Sequence, residues 1–227
     1  MSTVAVMQPY WIPYAGYFRL FNAASVFVVL DDVQFPRRGY VHRNKLLNIN
    51  SSPDWITLPI KKASRDTLIS NLEFKPNASQ LIEDQRRKFP VLKDGFGVIH
   101  QDMRFDRPFV ETIVESLKTI TKVLDLQCEW YWSSNLGENH LKGQDRILAL
   151  VKSVGGSRYV NLAGGLELYE HELFNRSNIE LTILPGWQGP FVSVLQYLST
   201  NEDKNWIKRL ICEQTQTSPA PISRGTC

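Results

Sequence analysis

Asp31 and Asp32, His42, and the basic residues Arg37, Arg38, Arg43 and Lys45 around it are the side chains of this chain whose chemistry is easiest to name. The aspartates end the apolar run Ser25-Val26-Phe27-Val28-Val29-Leu30, which reads as a buried strand, and a parallel sheet presents ligand-facing groups at its strand ends. A carboxylate there can take a proton from an amine or hydroxyl, or bind a metal through water. The same pair equally makes a turn or a helix cap. His42 is a rival base, whereas His100, His140 and His171 lack ligand spacing. Arg37, Arg38, His42, Arg43 and Asn44, with Lys61 and Lys62 beyond the next strand, can converge on a phosphate or diphosphate, for which guanidinium forks are well shaped. A solvated basic face is the alternative.

A second set of groups lies earlier. Met7-Gln8-Pro9-Tyr10-Trp11-Ile12-Pro13-Tyr14-Ala15-Gly16-Tyr17-Phe18 packs two prolines, a glycine and five aromatics behind Val4-Ala5-Val6. As a binding floor, Gln8, Tyr10 and Tyr14 supply hydrogen-bond groups on stiff frames, and Gly16 permits close approach at a helix start. As plain structure, it is a proline-stiffened loop with buried rings. Ser157, Tyr159, Asn161, Gly164, Gly165 and Tyr169 form another glycine-containing strand-to-helix turn, able to aim N–H groups at an anion or simply to turn the chain.

These groups need a sheet to position them. Strands are predicted at 4–6, 25–30, 55–60, 68–74, 127–132, 158–160 and 179–184, and helices at 16–23, 78–88, 109–123, 145–154, 168–174, 192–198 and 205–210. Loops and a short helical turn fill 89–108, and Gly155-Gly156 stops the helix before it. Strands alternating with helices imply an α/β fold: a mainly parallel sheet with helices on both faces, a Rossmann-like three-layer sandwich. Right-handed crossovers bring the aromatic loop and the aspartates to one sheet end. Residues 1–213 read as a single α/β catalytic or binding domain, and 214–227, rich in Ser, Thr and Pro, as a disordered tail.

Bulk properties narrow the class. With 227 residues, 43% apolar composition and a net charge of +3, the chain can bury a core and is no nucleic-acid wrapper, though it allows a local phosphate site. Cys128, Cys212 and Cys227 are widely spaced, which suits a reducing compartment and offers no zinc or disulfide pattern. No metal site is expected. Without a leader-like start or a membrane-length apolar run, the expectation is a soluble cytoplasmic protein. No Gly-x-Ser-x-Gly elbow, Walker-type loop, full dinucleotide fingerprint or paired-His helix is present.

Met7-Gln8-Pro9-Tyr10, Pro13-Tyr14, Gly16-Tyr17-Phe18, Phe27-Val28, Leu30-Asp31-Asp32-Val33-Gln34-Phe35, Arg38, Arg43-Asn44, Trp55, Thr57, Pro59 and Lys61-Lys62 together resemble the WbqC-like family. The resemblance resumes at Gly155, Tyr159, Gly164-Gly165, Tyr169 and the strand near Ile179, and it departs at Pro185-Gly186-Trp187-Gln188-Gly189-Pro190-Phe191. If that segment lines the site, it bears on acceptor or acyl specificity. The resemblance implies a bacterial protein of O-antigen and other surface-polysaccharide (lipopolysaccharide) biosynthesis. It further implies transfer of glycine or a similar aminoacyl group to the amine of a nucleotide-linked amino sugar.

Under that reading Asp31 or Asp32 deprotonates the sugar ammonium, with His42 as the rival base. Arg38, Arg43 and Lys61 hold phosphates; Tyr10, Tyr14 and Tyr17 pack against sugar or base; Gln8 and Asn44 contact the acyl group. Pro9, Gly16, Gln34, Tyr159, Gly164 and Gly165 complete the expected binding residues. The donor is either an aminoacyl-tRNA or an acyl-adenylate made from ATP with magnesium. A non-catalytic nucleotide-sugar-binding module and a nucleotidyltransferase-like enzyme are the alternatives, the latter lacking its His-x-x-His signature.

Overall fold

The computed structural model describes residues 2–216. Its strands are β1 (Ser2–Met7), β2 (Val26–Val29), β3 (Arg43–Leu47), β4 (Pro53–Thr57), β5 (Glu129–Trp132), β6 (Gly156–Asn161) and β7 (Glu180–Ile183). Its α-helices are α1 (Arg19–Ala23), α2 (Ala78–Arg86), α3 (Phe109–Val123), α4 (Gly143–Ser153), α5 (His171–Arg176) and α6 (Asn201–Thr215). Five strands form one parallel sheet in the order β5-β2-β1-β6-β7, while β3 and β4 make a separate antiparallel pair.

The two-residue period of a strand assigns each face. Ala5, Phe27, Val29 and Val160 join Leu20 and Phe21 of α1, Ile113 and Leu117 of α3, and Ile207 and Ile211 of α6 in one cluster. The intervening Val4, Val6, Val26, Val28 and Tyr159 pack against Ile147, Leu150 and Val151 of α4 and Phe174 of α5. The sheet is therefore covered on both sides, as its continuous apolar strands require, and the three-layer α/β sandwich is present.

Chain order runs from β1 outward through β2 to β5, then returns across the sheet to β6 and β7. The loops leaving β1 and β6 diverge to opposite faces, and a crevice opens between them at the carboxyl end.

Several elements differ from their predicted form. Residues 16–23 begin as a 3₁₀ turn, Ala15–Phe18, before α1. The strand predicted at 68–74 is a 3₁₀ turn, Ile69–Asn71, flanked by isolated bridges Gln34↔Leu68 and Ile60↔Phe74; Ile69 and Leu72, both buried, follow its three-residue period. Helix 168–174 divides into a 3₁₀ stretch, Ala163–Leu168, and α5. Residues 192–198 contain only a 3₁₀ turn, Val194–Tyr197. Helix α6 continues through Gln214 and Thr215, and the remainder of the expected tail from 217 lies outside the described residues. Among the described residues no helix is long and apolar enough to cross a membrane.

Candidate functional site

The aromatic loop is held in place mainly through its backbone. Pro9 and Pro13 have no N–H to satisfy, and three other backbone groups find distant partners. Trp11 N–H donates to the Val41 carbonyl at 3.2 Å, Asn44 Nδ2 donates to the Trp11 carbonyl at 3.3 Å, and Val194 N–H donates to the Pro13 carbonyl at 2.9 Å. Tyr17, fully buried, donates through its hydroxyl to the Gln8 carbonyl at 2.8 Å. Arg19 Nη1 donates to the Pro185 carbonyl at 2.8 Å, which ties the start of α1 to the loop after β7. Ile12 is buried with φ at 43°, a left-handed backbone that a β-branched residue seldom adopts. At Gly16 an added Cβ would stand 2.4 Å from the Tyr14 ring and 2.7 Å from that of Trp187, so only hydrogen fits.

The turn after β6 supplies the facing wall. Asn161 Oδ1 accepts from Leu162 N–H at 2.8 Å and its Nδ2 donates to Tyr169 Oη at 3.2 Å; the Tyr159 and Tyr169 hydroxyls share a hydrogen bond of 3.0 Å. A Cβ on Gly165 would fall 2.5 Å from Asn161 Nδ2, so this turn closes tightly over the asparagine.

Between these two loops lies a cleft of ≈ 500 Å³. Tyr10, Tyr14, Tyr40 and Phe191 give it aromatic walls, Gln8 and Asn161 give it amides, and Gly164 and Gly165 expose backbone. Among the described residues no Asp, Glu, Lys, Arg or His lines it. Burial first, then neighbouring phenols, raises the pKa of Tyr10; burial raises that of Tyr14, partly countered by the Arg19 charge. Both hydroxyls are therefore neutral donors at physiological pH. Phe191, Leu168 and Tyr40 stay exposed at 64%, 65% and 38% around the mouth, an apolar rim in contact with water.

The structure thus divides the residues expected to form one site. Gln8, Tyr10, Tyr14, Gly164 and Gly165 line the cleft. Pro9, Gly16, Tyr17, Asn44 and Tyr159 build its frame from behind. The other expected residues lie outside the lining, and most are engaged elsewhere.

Asp31, 2% exposed, accepts from Ser133 Oγ at 3.0 Å and from Ser134 N–H at 3.1 Å. Asp32 shares the single Ser133 hydroxyl proton with Asp31 and pairs with Arg146. Together they join the end of β2 to the turn after β5. His42 meets Phe35 edge-on, and burial, then the Arg43 charge, lowers its pKa to about 4, so it is neutral at physiological pH. Arg43 donates to the Gly39 and Arg38 carbonyls at 3.2 and 2.8 Å and stacks 4.2 Å over Trp55. Arg38 and Gln34 line a separate hollow with Arg37 and Arg65, and Lys61 pairs with Glu73.

Tyr40, Leu168 and Phe191 were not among the expected site residues. Phe191 sits in the segment that departs from the family pattern, and its ring lies 5.3 Å from that of Tyr14. That departure was the available signal; Tyr40, inside a basic segment, offered none.

The uncharacterized protein Rv1507c of Mycobacterium tuberculosis is 21% identical to this chain over 197 residues, which is 80% of this chain and 81% of the relative. No solved structure matches. The model of the WbqC-like protein family matches residues 8–190, from the first residue of the aromatic loop past the turn after β7, and the chain belongs to that family.

Proposed function

We propose that the cleft between β1 and β6 holds a nucleotide-linked amino sugar while its amine receives glycine or a similar acyl group from an activated donor. The observation that carries this reading is the lining: aromatic faces, neutral phenols and amides, with no charged side chain among the described residues, at the switch point of a parallel sheet. Rings of this kind pack against a base or the apolar face of a sugar, and Gln8 and the tyrosine hydroxyls suit its hydroxyls.

An ammonium entering an uncharged cleft is penalised by desolvation, which favours the neutral, nucleophilic amine without a dedicated base. Its nitrogen attacks the acyl carbon, a C–N bond forms, and the bond to the donor's leaving oxygen breaks. The proton shed by nitrogen departs on that oxygen or on water. Gly164 N–H, which bonds no described residue, is available to the developing oxyanion. The donor is an aminoacyl-tRNA ester or an acyl-adenylate made from ATP. Asp31 and Asp32 act here as positioning residues that fix the sheet end beside the cleft.

Mass spectrometry after incubation with nucleotide-linked amino sugars, amino acids, ATP and charged tRNA tests the reading. The expected result is a mass gain of one aminoacyl residue on the sugar, reduced in Tyr14→Ala. A second reading, a binding module without chemistry, draws on the lack of any carboxylate or imidazole in the lining among the described residues. Saturable binding with no mass gain from any donor would establish it instead.

A further inference from the structure

The uncharged cleft leaves a nucleotide-linked ligand's phosphates without a cation, and a neighbouring cavity supplies one. This cavity, ≈ 330 Å³, shares Leu30, Ile147, Leu168 and Tyr169 with the cleft, so the two adjoin. Its floor is the start of α4, an eleven-residue helix with no side chain capping its first turn. The backbone N–H groups of Gly143, Gln144 and Asp145 bond no described residue, and the space where a Gly143 Cβ would sit is open. Such a terminus carries partial positive charge.

A second observation points to a ligand independently. Arg146, 7% exposed, lines the cavity; its Nη2 pairs with Asp32, but its buried Nε and its Nη1 bond no described residue. Burying a guanidinium half-satisfied is costly unless something meets it. Lys142 adds an exposed ammonium at the same edge. Asp32, Asp145 and Glu170 are the carboxylates beside it in the fold, and none of the three lines the cavity; Asp32 is occupied by Arg146 and Ser133, and Glu170 by Gln144.

We propose that the start of α4, with Lys142 and Arg146, is a phosphate or diphosphate subsite that anchors the charged part of the ligand whose sugar or base occupies the cleft. The identity of the whole ligand rests on the function proposed above; the anion site does not.

Titration calorimetry of the full chain with inorganic pyrophosphate, at low and physiological salt, provides the test. Wild type should bind saturably and more weakly at higher salt. Lys142→Glu, a change at an exposed position, should lower the affinity about tenfold or more, and Arg146→Lys, which keeps the charge but loses the fork, by several-fold. Tyr14→Ala should leave pyrophosphate binding unchanged.

No saturable binding up to millimolar pyrophosphate, or equal affinity in Lys142→Glu, overturns the proposal. So does loss of binding in Arg38→Ala instead, which moves the anion to the arginine hollow. Pyrophosphate binding sensitive to Lys142→Glu without any nucleotide-sugar binding refutes the cleft reading and upholds the subsite. Nucleotide-sugar affinity undiminished in Lys142→Glu does the reverse.

Discussion

The cleft between β1 and β6 and the basic segment after β2 are made from opposite materials. Among the described residues the cleft has no charged lining, yet the Gln8 amide and the Tyr10, Tyr14 and Tyr40 hydroxyls on its walls bond no described residue. The basic segment has many cations, but Arg43 lies over Trp55 and donates to two carbonyls, Arg37 donates to the Ala63 carbonyl at 2.9 Å, and Lys61 meets Glu73. Charge density in a sequence therefore records what a segment must neutralise. A binding surface is recognised by polar groups left unused on a shaped wall.

The sharpest way to break this comparison is at its boundary, where Asp32 and Arg146 pair with side chains only 11% and 9% exposed. Asp32→Ala should destabilise the fold by about 3–5 kcal/mol, because it strands a buried guanidinium. Urea denaturation measures it, and a change under 1 kcal/mol would mean the pair is as dispensable as a surface one. Next, Tyr14→Ala should weaken nucleotide-sugar binding by about 1–3 kcal/mol, the range seen when a stacking ring is removed. Arg43→Ala should stay within about twofold in affinity while losing roughly 1 kcal/mol of stability with its cation–π contact. The opposite ranking in calorimetry would return the site to the basic segment.

His42 gives a pH test of that segment. Its folded pKa of about 4 lies below the ordinary 6.5, so between those values the unfolded chain binds the extra proton. Stability should fall as pH drops through that window and be unaffected above it. His42→Gln should flatten the loss by about 1–2 kcal/mol, reduced by the ring's partial exposure. Urea midpoints from neutral pH down to about 4, compared between the two proteins, provide the measurement. Smallest of all, Glu73→Ala should change stability by at most about 1 kcal/mol, since its pair with Lys61 is solvated.

Legibility in the sequence followed burial. Strands β1, β2, β6 and β7 were readable because buried faces demand unbroken apolar runs, and Gln8, Tyr10, Tyr14, Gly164 and Gly165 followed from the turns that must leave β1 and β6. Strand β3 was hidden, since Arg43 and Lys45 alternate outward while the polar Asn44 shares the buried face with Leu46. The start of α6 was announced by Thr200, whose hydroxyl accepts from Asp203 N–H at 3.1 Å, a cap that the apolar spacing alone did not register. The aspartates could not be assigned from their own position. What they do depends on Ser133 and Arg146, 101 and 114 residues beyond Asp32, which no local pattern announces.

The central place of β1 has a consequence for synthesis. Val4 pairs with Val26 on one side, made within moments, but with Tyr159 on the other. At ~5–20 residues per second, a ribosome takes roughly eight to thirty seconds to deliver that second partner. Throughout that interval the nascent chain carries β1 with one edge unpaired, a row of free N–H and C=O groups on which another strand can template.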